Sequence, residues 1–140
     1  MTEVQPMASD PMKEQRRSKI VIAVDDAQEN LDVVKAVVTS AGYTFMGTRS
    51  GKECLALALR VTPRLILLDI QMPEMDGFEV CRRLRAVAAC RGVPIAFLTA
   101  SKTAEDVRVG MAAGGNDFII KPFDVAKLLA RIEHWVSRRI

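Results

Sequence analysis

Four apolar stretches of this sequence run out into side chains that bind cations or anions. Val24 is followed by Asp25 and Asp26, Leu68 by Asp69, Leu98 by Thr99 and then Ser101, and Ile120 by Lys121. Three carboxylates brought together repel one another and raise each other's pKa unless a cation is present. Mg2+ resolves that conflict, because it takes about six oxygens at roughly 2.0–2.1 Å and keeps several of them as water. Lys121 then offers positive charge to an anion, and Thr99 offers a hydrogen-bond donor. The set suits Mg2+ together with a phosphate. Aspartate is itself a nucleophile toward phosphoryl groups, carrying them as an aspartyl phosphate. Such transfer depends on in-line placement and charge neutralisation more than on covalent help from the protein. On this reading Asp69 is the acceptor, Asp25 and Asp26 hold the metal, and Lys121 and Thr99 bind phosphoryl oxygens. No histidine is required, and the only one, His134, falls in the last amphipathic stretch.

These side chains meet only if the stretches that carry them are neighbouring strands. KIVIAV (19–24), RLILL (64–68), PIAFL (94–98) and DFII (117–120) are almost continuously apolar, as parallel strands buried on both faces are. YTFMGT (43–48) is mixed and weaker. Between them lie segments with helical period. Residues 27–41 align Leu31, Val34, Val38 and Ala41, with Gly42 as a stop. Residues 51–61 stack Cys54, Leu55, Ala58 and Leu59, and 78–88 offer Phe78, Cys81 and Leu84. Residues 103–113 offer Val107 and Met111 before Gly114-Gly115. Residues 124–138 align Val125, Leu128, Leu129, Ile132, Trp135 and Val136 behind Asp124 as N-cap. Strands alternating with helices predict a doubly wound α/β sheet of five parallel strands and five helices. In such sheets ligands sit beyond the carboxyl ends of the strands, which is where the acidic residues, Thr99 and Lys121 fall. Pro73 and Gly77 shape the loop after Asp69, Gly77 allowing a tight or positive-φ turn. Lys121-Pro122 is a candidate cis bond that would turn Lys121 back toward the site.

Composition narrows the class. With 140 residues, 49% hydrophobic and 26% charged, the chain suits one ordinary globular domain. Residues 1–18 lack an apolar period and are expected to be a flexible tail, with the domain over 19–140. No apolar run approaches the ~18 residues of a membrane span, and the first residues carry no apolar leader, so the expectation is a soluble, unexported protein. Cys54, Cys81 and Cys90 are odd in number and lack CxxC spacing. They argue against disulfides or zinc and fit a reducing cytoplasm. A net charge of +3 does not suggest nucleic-acid binding.

Together, IAVDD at 22–26, LLDIQMPEMDG at 67–77, LTA at 98–100 and FIIKPF at 118–123 closely resemble the receiver domain of two-component response regulators. The resemblance covers about residues 19–140. It implies a flavodoxin-like fold with strand order 2-1-3-4-5. It also implies that Asp69 accepts a phosphoryl group from a phosphohistidine on a sensor histidine kinase or a histidine phosphotransfer protein. Asp26 and Asp69 would then be direct Mg2+ ligands, joined by the backbone carbonyl of Gln71, with Asp25 acting mainly through water and Mn2+ as a substitute ion. Thr99 and Lys121 would contact the phosphoryl group, and Phe118 would be the aromatic switch that turns inward as Thr99 moves. Gln71 and Ser101 hold the positions that tune phosphoryl lifetime. The output is expected to be a protein target met through the fourth helix, fifth strand and fifth helix, with no direct nucleic-acid or membrane contact. The domain would be a phosphoacceptor catalysing only its own phosphorylation and dephosphorylation, either stand-alone like the chemotaxis regulators, a phosphorelay shuttle, or the receiver part of a longer regulator. Gly114-Gly115 departs from the more usual Gly-Ala, and an extra glycine is expected to loosen the end of the fourth helix.

Three other readings fit less well. A haloacid-dehalogenase-type phosphohydrolase wants a second Asp two residues after the nucleophile, where this chain has Gln71. A flavin- or nucleotide-binding module wants a glycine-bearing phosphate loop after the first strand, and DDAQEN is acidic and has none. A receiver-like relic would lack acidic or lysine residues that are all present here.

Overall fold

The computed structural model describes residues 19–138; the expected tail over 1–18 lies outside the described residues. The elements run β1 (Ile20–Val24), α1 (Gln28–Ser40), β2 (Thr44–Thr48), α2 (Gly51–Arg60), β3 (Leu65–Asp69), α3 (Gly77–Arg85), a 3-10 turn at Ala88–Cys90, β4 (Ile95–Thr99), α4 (Ala104–Ala112), β5 (Asp117–Ile120) and α5 (Val125–Val136). All neighbouring strands pair in parallel, in the order β2-β1-β3-β4-β5. This is the flavodoxin-like order that the resemblance implies.

Side-chain alternation divides the core in two. Ile22, Val24, Ile66, Leu68 and Phe97 point to the face covered by α2, α3 and α4, where Cys54, Ala58, Phe78, Cys81 and Leu84 meet them. Val21, Ala23, Leu65, Leu67, Ala96 and Leu98 point to the other face, against Leu31, Val34 and Val38 of α1 and Leu128, Ile132 and Val136 of α5. β3 and β4 are buried at every position, which is why they read as unbroken apolar runs. β2 is an edge strand, only partly buried, and its mixed pattern reflects that single-sided exposure. The three cysteines are buried thiols.

Local chemistry sets the helix starts. Ser50, Asp76, Thr103 and Asp124 each accept a hydrogen bond from the backbone N–H three residues on, at 3.2, 2.9, 3.0 and 3.1 Å. Three sequence expectations about helix faces give way, one of them Val125, which is 56% exposed because the buried stripe of α5 runs through Leu128, Ile132 and Val136. Leu59 is 69% exposed, because the buried stripe of α2 runs through Gly51, Cys54 and Ala58. Met111 is 51% exposed, because α4 turns Gly110 inward. A Cβ on Gly110 would lie 2.5 Å from Phe118 Cζ and 2.9 Å from Phe97 Cε2, so the rings leave room only for glycine. Gly115 behaves similarly, since a Cβ there would lie 2.2 Å from Phe97 Cε2. The second glycine admits a ring where the Cβ of an alanine would not fit. Gly114, with φ +106°, supplies the turn.

Candidate functional site

The rim at the carboxyl ends of β1, β3, β4 and β5 forms a cleft of about 290 Å³, lined by Asp25, Asp26, Asp69, Gln71, Thr99 and Lys121 among others. One carboxylate oxygen from each of Asp25, Asp26 and Asp69 lies within 4.8 Å of the other two. Asp25 and Asp69 are buried and Asp26 is exposed.

Each group has identifiable supports. The Asp25 N–H donates to Thr48 O at 3.2 Å, which ties the acidic turn to the end of β2. Its carboxylate accepts from the Ala27 N–H at 2.9 Å, from Asn30 Nδ2 at 3.2 Å on each oxygen, and from Lys121 Nζ at 3.2 Å. Asp69 accepts from Lys121 Nζ at 3.1 Å and, more weakly, from the Gln71 N–H at 3.4 Å. Lys121 is held at the end of β5, where its N–H donates to Thr99 O at 2.7 Å. The Lys121–Pro122 bond is cis.

The loop after β3 differs in one detail from expectation. The left-handed residue is Glu74, with φ +72°, rather than Gly77. Gly77 is needed for close approach instead: a Cβ there would lie 2.4 Å from Asp69 O and 3.0 Å from Ile70 Cα. Its N–H donates to Ile70 O at 2.9 Å, so the start of α3 is clamped against the backbone that carries Asp69.

The electrostatics describe a site short of positive charge. Burial, and then the charge of Asp25, push the Asp69 carboxyl from 3.8 up to about 6, against the pull of Lys121 and the Gln71 N–H. Burial opposes the Lys121 charge, yet attraction to Asp69 and Asp25 leaves its pKa above the ordinary lysine value. Among the described residues one ammonium faces three carboxylates. All the donors are hard oxygens on a partly open cleft, which fits a small divalent cation with retained water and does not fit a thiophilic metal.

Thr99 and Phe118 lie on adjacent strands and face different surroundings. Thr99 Oγ1 donates to Ser101 O at 2.7 Å and accepts from the Ser101 N–H at 3.2 Å. Ser101 is exposed and stays outside the residues that line the cleft. Phe118 is 5% exposed, with its ring centroid 5.2 Å from that of Phe97, which in turn meets Phe78 at 5.1 Å. The aromatic ring is thus already turned inward.

Neither Asn30 nor Arg49 is among the site residues expected from the sequence, yet both touch the acidic turn. Arg49 Nη2 and Nε donate to Asp26 O at 2.6 and 3.2 Å. Asn30 sits in the first turn of α1, a position that hinted at the cleft; Arg49 lies 23 residues from Asp26, and no spacing pointed to it.

Comparison with known proteins agrees with this architecture. A family model of the response regulator receiver domain matches residues 21–133. Response regulator PleD of Caulobacter vibrioides is 38% identical over 112 residues, covering 80% of this chain and 25% of PleD. The DNA-binding dual master transcriptional regulator RpaA of a Synechocystis species is 36% identical over 118 residues, covering 84% of this chain and 49% of RpaA. The chain therefore spans from a quarter to about half of these relatives. Among solved structures, chemotaxis protein CheY4 of Vibrio cholerae superposes with a TM-score of 0.81 at 30% identity, covering 84% of this chain and 98% of that one. The receiver domain of sensor histidine kinase PA1611 from Pseudomonas aeruginosa, solved with a magnesium ion coordinated in its active-site cleft, gives 0.79 at 31% identity and covers 86% and 99%. With fold, site geometry and relatives in agreement, the chain belongs to the response regulator receiver domain family.

Proposed function

We propose that the domain accepts a phosphoryl group on Asp69 from a phosphohistidine of a sensor histidine kinase or phosphotransfer protein. A carboxylate oxygen of Asp69 attacks phosphorus while the P–N bond to the donor imidazole breaks, and the imidazole leaves with the electron pair and takes a proton. The product is an acyl phosphate, which water later hydrolyses. The observation that carries this reading is the convergence of Asp25, Asp26 and Asp69 on one cleft with the Lys121 ammonium 3.1 Å from Asp69.

Asp26 and Asp69, with the Gln71 main-chain carbonyl, would hold Mg2+ directly, and Asp25 would hold it through water. Such a cation would supply charge neutralisation for the phosphoryl oxygens, with Mn2+ as a substitute. Lys121 pairs with a phosphoryl oxygen, leaving its place between Asp25 and Asp69. Thr99 Oγ1 exchanges its Ser101 carbonyl for another phosphoryl oxygen. Gln71 and Ser101 flank the path of hydrolytic water. The exchange at Thr99 would be read out through Ser101 and the start of α4, with Phe118 kept in the inward position it already holds against Phe97. The face formed by α4, β5 and α5, where Met111, Ile120 and Val125 are 51%, 43% and 56% exposed, is the surface for a protein target. The unit that does this is residues 19–140, and it acts on itself rather than turning over a separate substrate. Its phosphodonors place it in the cytoplasm, and neither nucleic acid nor membrane is part of the reading; among the described residues no helix is long and apolar enough to cross a membrane.

A beryllofluoride titration followed by backbone amide NMR tests this. The reading predicts saturable binding that requires Mg2+, with shifts at residues 69–71, 99–101 and 118–121, and no binding by Asp69→Ala. Binding that persists in the variant would overturn it.

A further inference from the structure

Asp26 is the one exposed carboxylate of the three, and the backbone beneath it is held from an unexpected side. Ala27 is the residue before α1 and its carbonyl enters the helix, accepting from the Asn30 N–H at 3.1 Å. The Asp26 carbonyl faces out of the turn toward the end of β2. Arg49 takes it with two donors of one guanidinium, at 2.6 and 3.2 Å. One residue earlier in each segment, Thr48 O accepts the Asp25 N–H at 3.2 Å. The pair Thr48-Arg49 therefore grips the pair Asp25-Asp26 from both sides of the chain.

Arg49 is itself anchored. Its N–H donates to Glu53 Oε1 at 3.1 Å, while the Glu53 N–H donates to Ser50 Oγ at 3.2 Å, so both belong to the capped start of α2. That start is pressed against the first turn of α3 and the loop before it: a Cβ on Gly51 would lie 2.5 Å from Val80 Cγ2 and 3.3 Å from Met75 Sδ. Through Arg49 the acidic turn is joined to the loop that follows Asp69. Among the described residues Arg49 forms no ion pair, so its charge is directed to a main-chain oxygen and not to the Asp26 carboxylate.

We infer that Arg49 is a positioning residue for the divalent cation, fixing the backbone of Asp26 so that its carboxylate is pre-set to join Asp69 at the metal. The inference rests on the metal reading above. Its physics has a diagnostic sign. A guanidinium acting only as a nearby charge repels a dication, so its removal would tighten binding. A guanidinium acting as an anchor pre-organises a ligand, so its removal weakens binding. Outer partners that orient metal ligands are worth about 10–100-fold in metal affinity, and an exposed anchor belongs at the lower end, about tenfold.

The test is isothermal titration of the full chain with Mg2+ alone, comparing wild type, Arg49→Met and Arg49→Lys. The methionine keeps the apolar stem and loses both donors; the lysine keeps one donor and the charge. The expected result is a Kd raised about tenfold in Arg49→Met and by less in Arg49→Lys, with thermal midpoints unchanged because Arg49 is exposed. In acetyl phosphate reactions the Mg2+ concentration for half-maximal rate rises by the same factor, with the maximal rate at saturating Mg2+ retained. An unchanged or lower Kd in Arg49→Met overturns the inference while leaving the metal site standing. Failure of the wild type to bind Mg2+ overturns both.

Discussion

Asp69 should make the metal-free domain less stable as pH rises, and Asp69→Asn should remove that dependence. The carboxyl is buried beside Asp25, and its pKa in the folded protein is about 6, against 3.8 for the free group. The folded state thus binds the proton more tightly than the unfolded state. For a group raised in this way, stability is greatest while it is protonated, declines between about 4 and 6, and levels off above. At ~1.4 kcal/mol per unit the gap sets a ceiling of about 3 kcal/mol. The carboxylate opens onto a solvent-filled cleft that screens part of its charge, so about 1–2 kcal/mol is the expectation. Urea unfolding in the presence of a chelator, at pH 4.5 and 7.5, measures this for wild type and Asp69→Asn. The asparagine is nearly isosteric, and every other titrating group is common to both chains, so the pH dependence of their difference isolates Asp69. The advantage of Asp69→Asn should grow by about 1–2 kcal/mol between those pH values. A difference that is flat with pH, or that grows toward acid, would refute the burial-and-repulsion account.

Other consequences follow from single contacts. Lys121→Met removes the only cation lining the cleft among the described residues, so the Asp69 pKa should rise above about 6, read by carboxyl-carbon NMR titration; an unchanged value would mean Lys121 does not balance the acidic cluster. Gly77→Ala places a Cβ 2.4 Å from Asp69 O, and the forced shift of α3 should cost about 1–3 kcal/mol in urea unfolding. Arg85 donates to the carbonyls of Cys90 and Val93 at 2.7 Å, to Gly114 O at 2.9 Å and to Asn116 Oδ1 at 2.9 Å, joining α3 to the loop between α4 and β5. Arg85→Met should therefore cost about 2–4 kcal/mol and raise amide exchange selectively at residues 113–117.

Much of this architecture was legible because its signals are local. Continuous apolar runs marked β1, β3, β4 and β5, and their carboxyl ends named the acidic residues, Thr99 and Lys121 without any tertiary knowledge. Helix starts could be found because Asp124 caps through a backbone group three residues away. What escaped was set at long range. Met111 and Leu59 look like core residues by period, and only the placement of Phe97 and Phe118 beneath α4, or the stripe through Cys54 and Ala58, shows which side faces in. Gly77 reads as a turn residue and Gly115 as a loosening one, yet the first is required by the backbone of Asp69 and Ile70 and the second by the Phe97 ring. Arg49 and Arg85 act on main-chain oxygens 23 and 29 residues away, and an acceptor that every residue possesses leaves no mark in the sequence.

The central claim is that Asp69 is a Mg2+-dependent phosphoacceptor, and intact-mass measurement after incubation with acetyl phosphate tests it most directly. With Mg2+ the wild type should gain one phosphoryl group, with none gained in chelator and none in Asp69→Asn. An adduct of equal yield in Asp69→Asn, or one indifferent to Mg2+, would contradict the account.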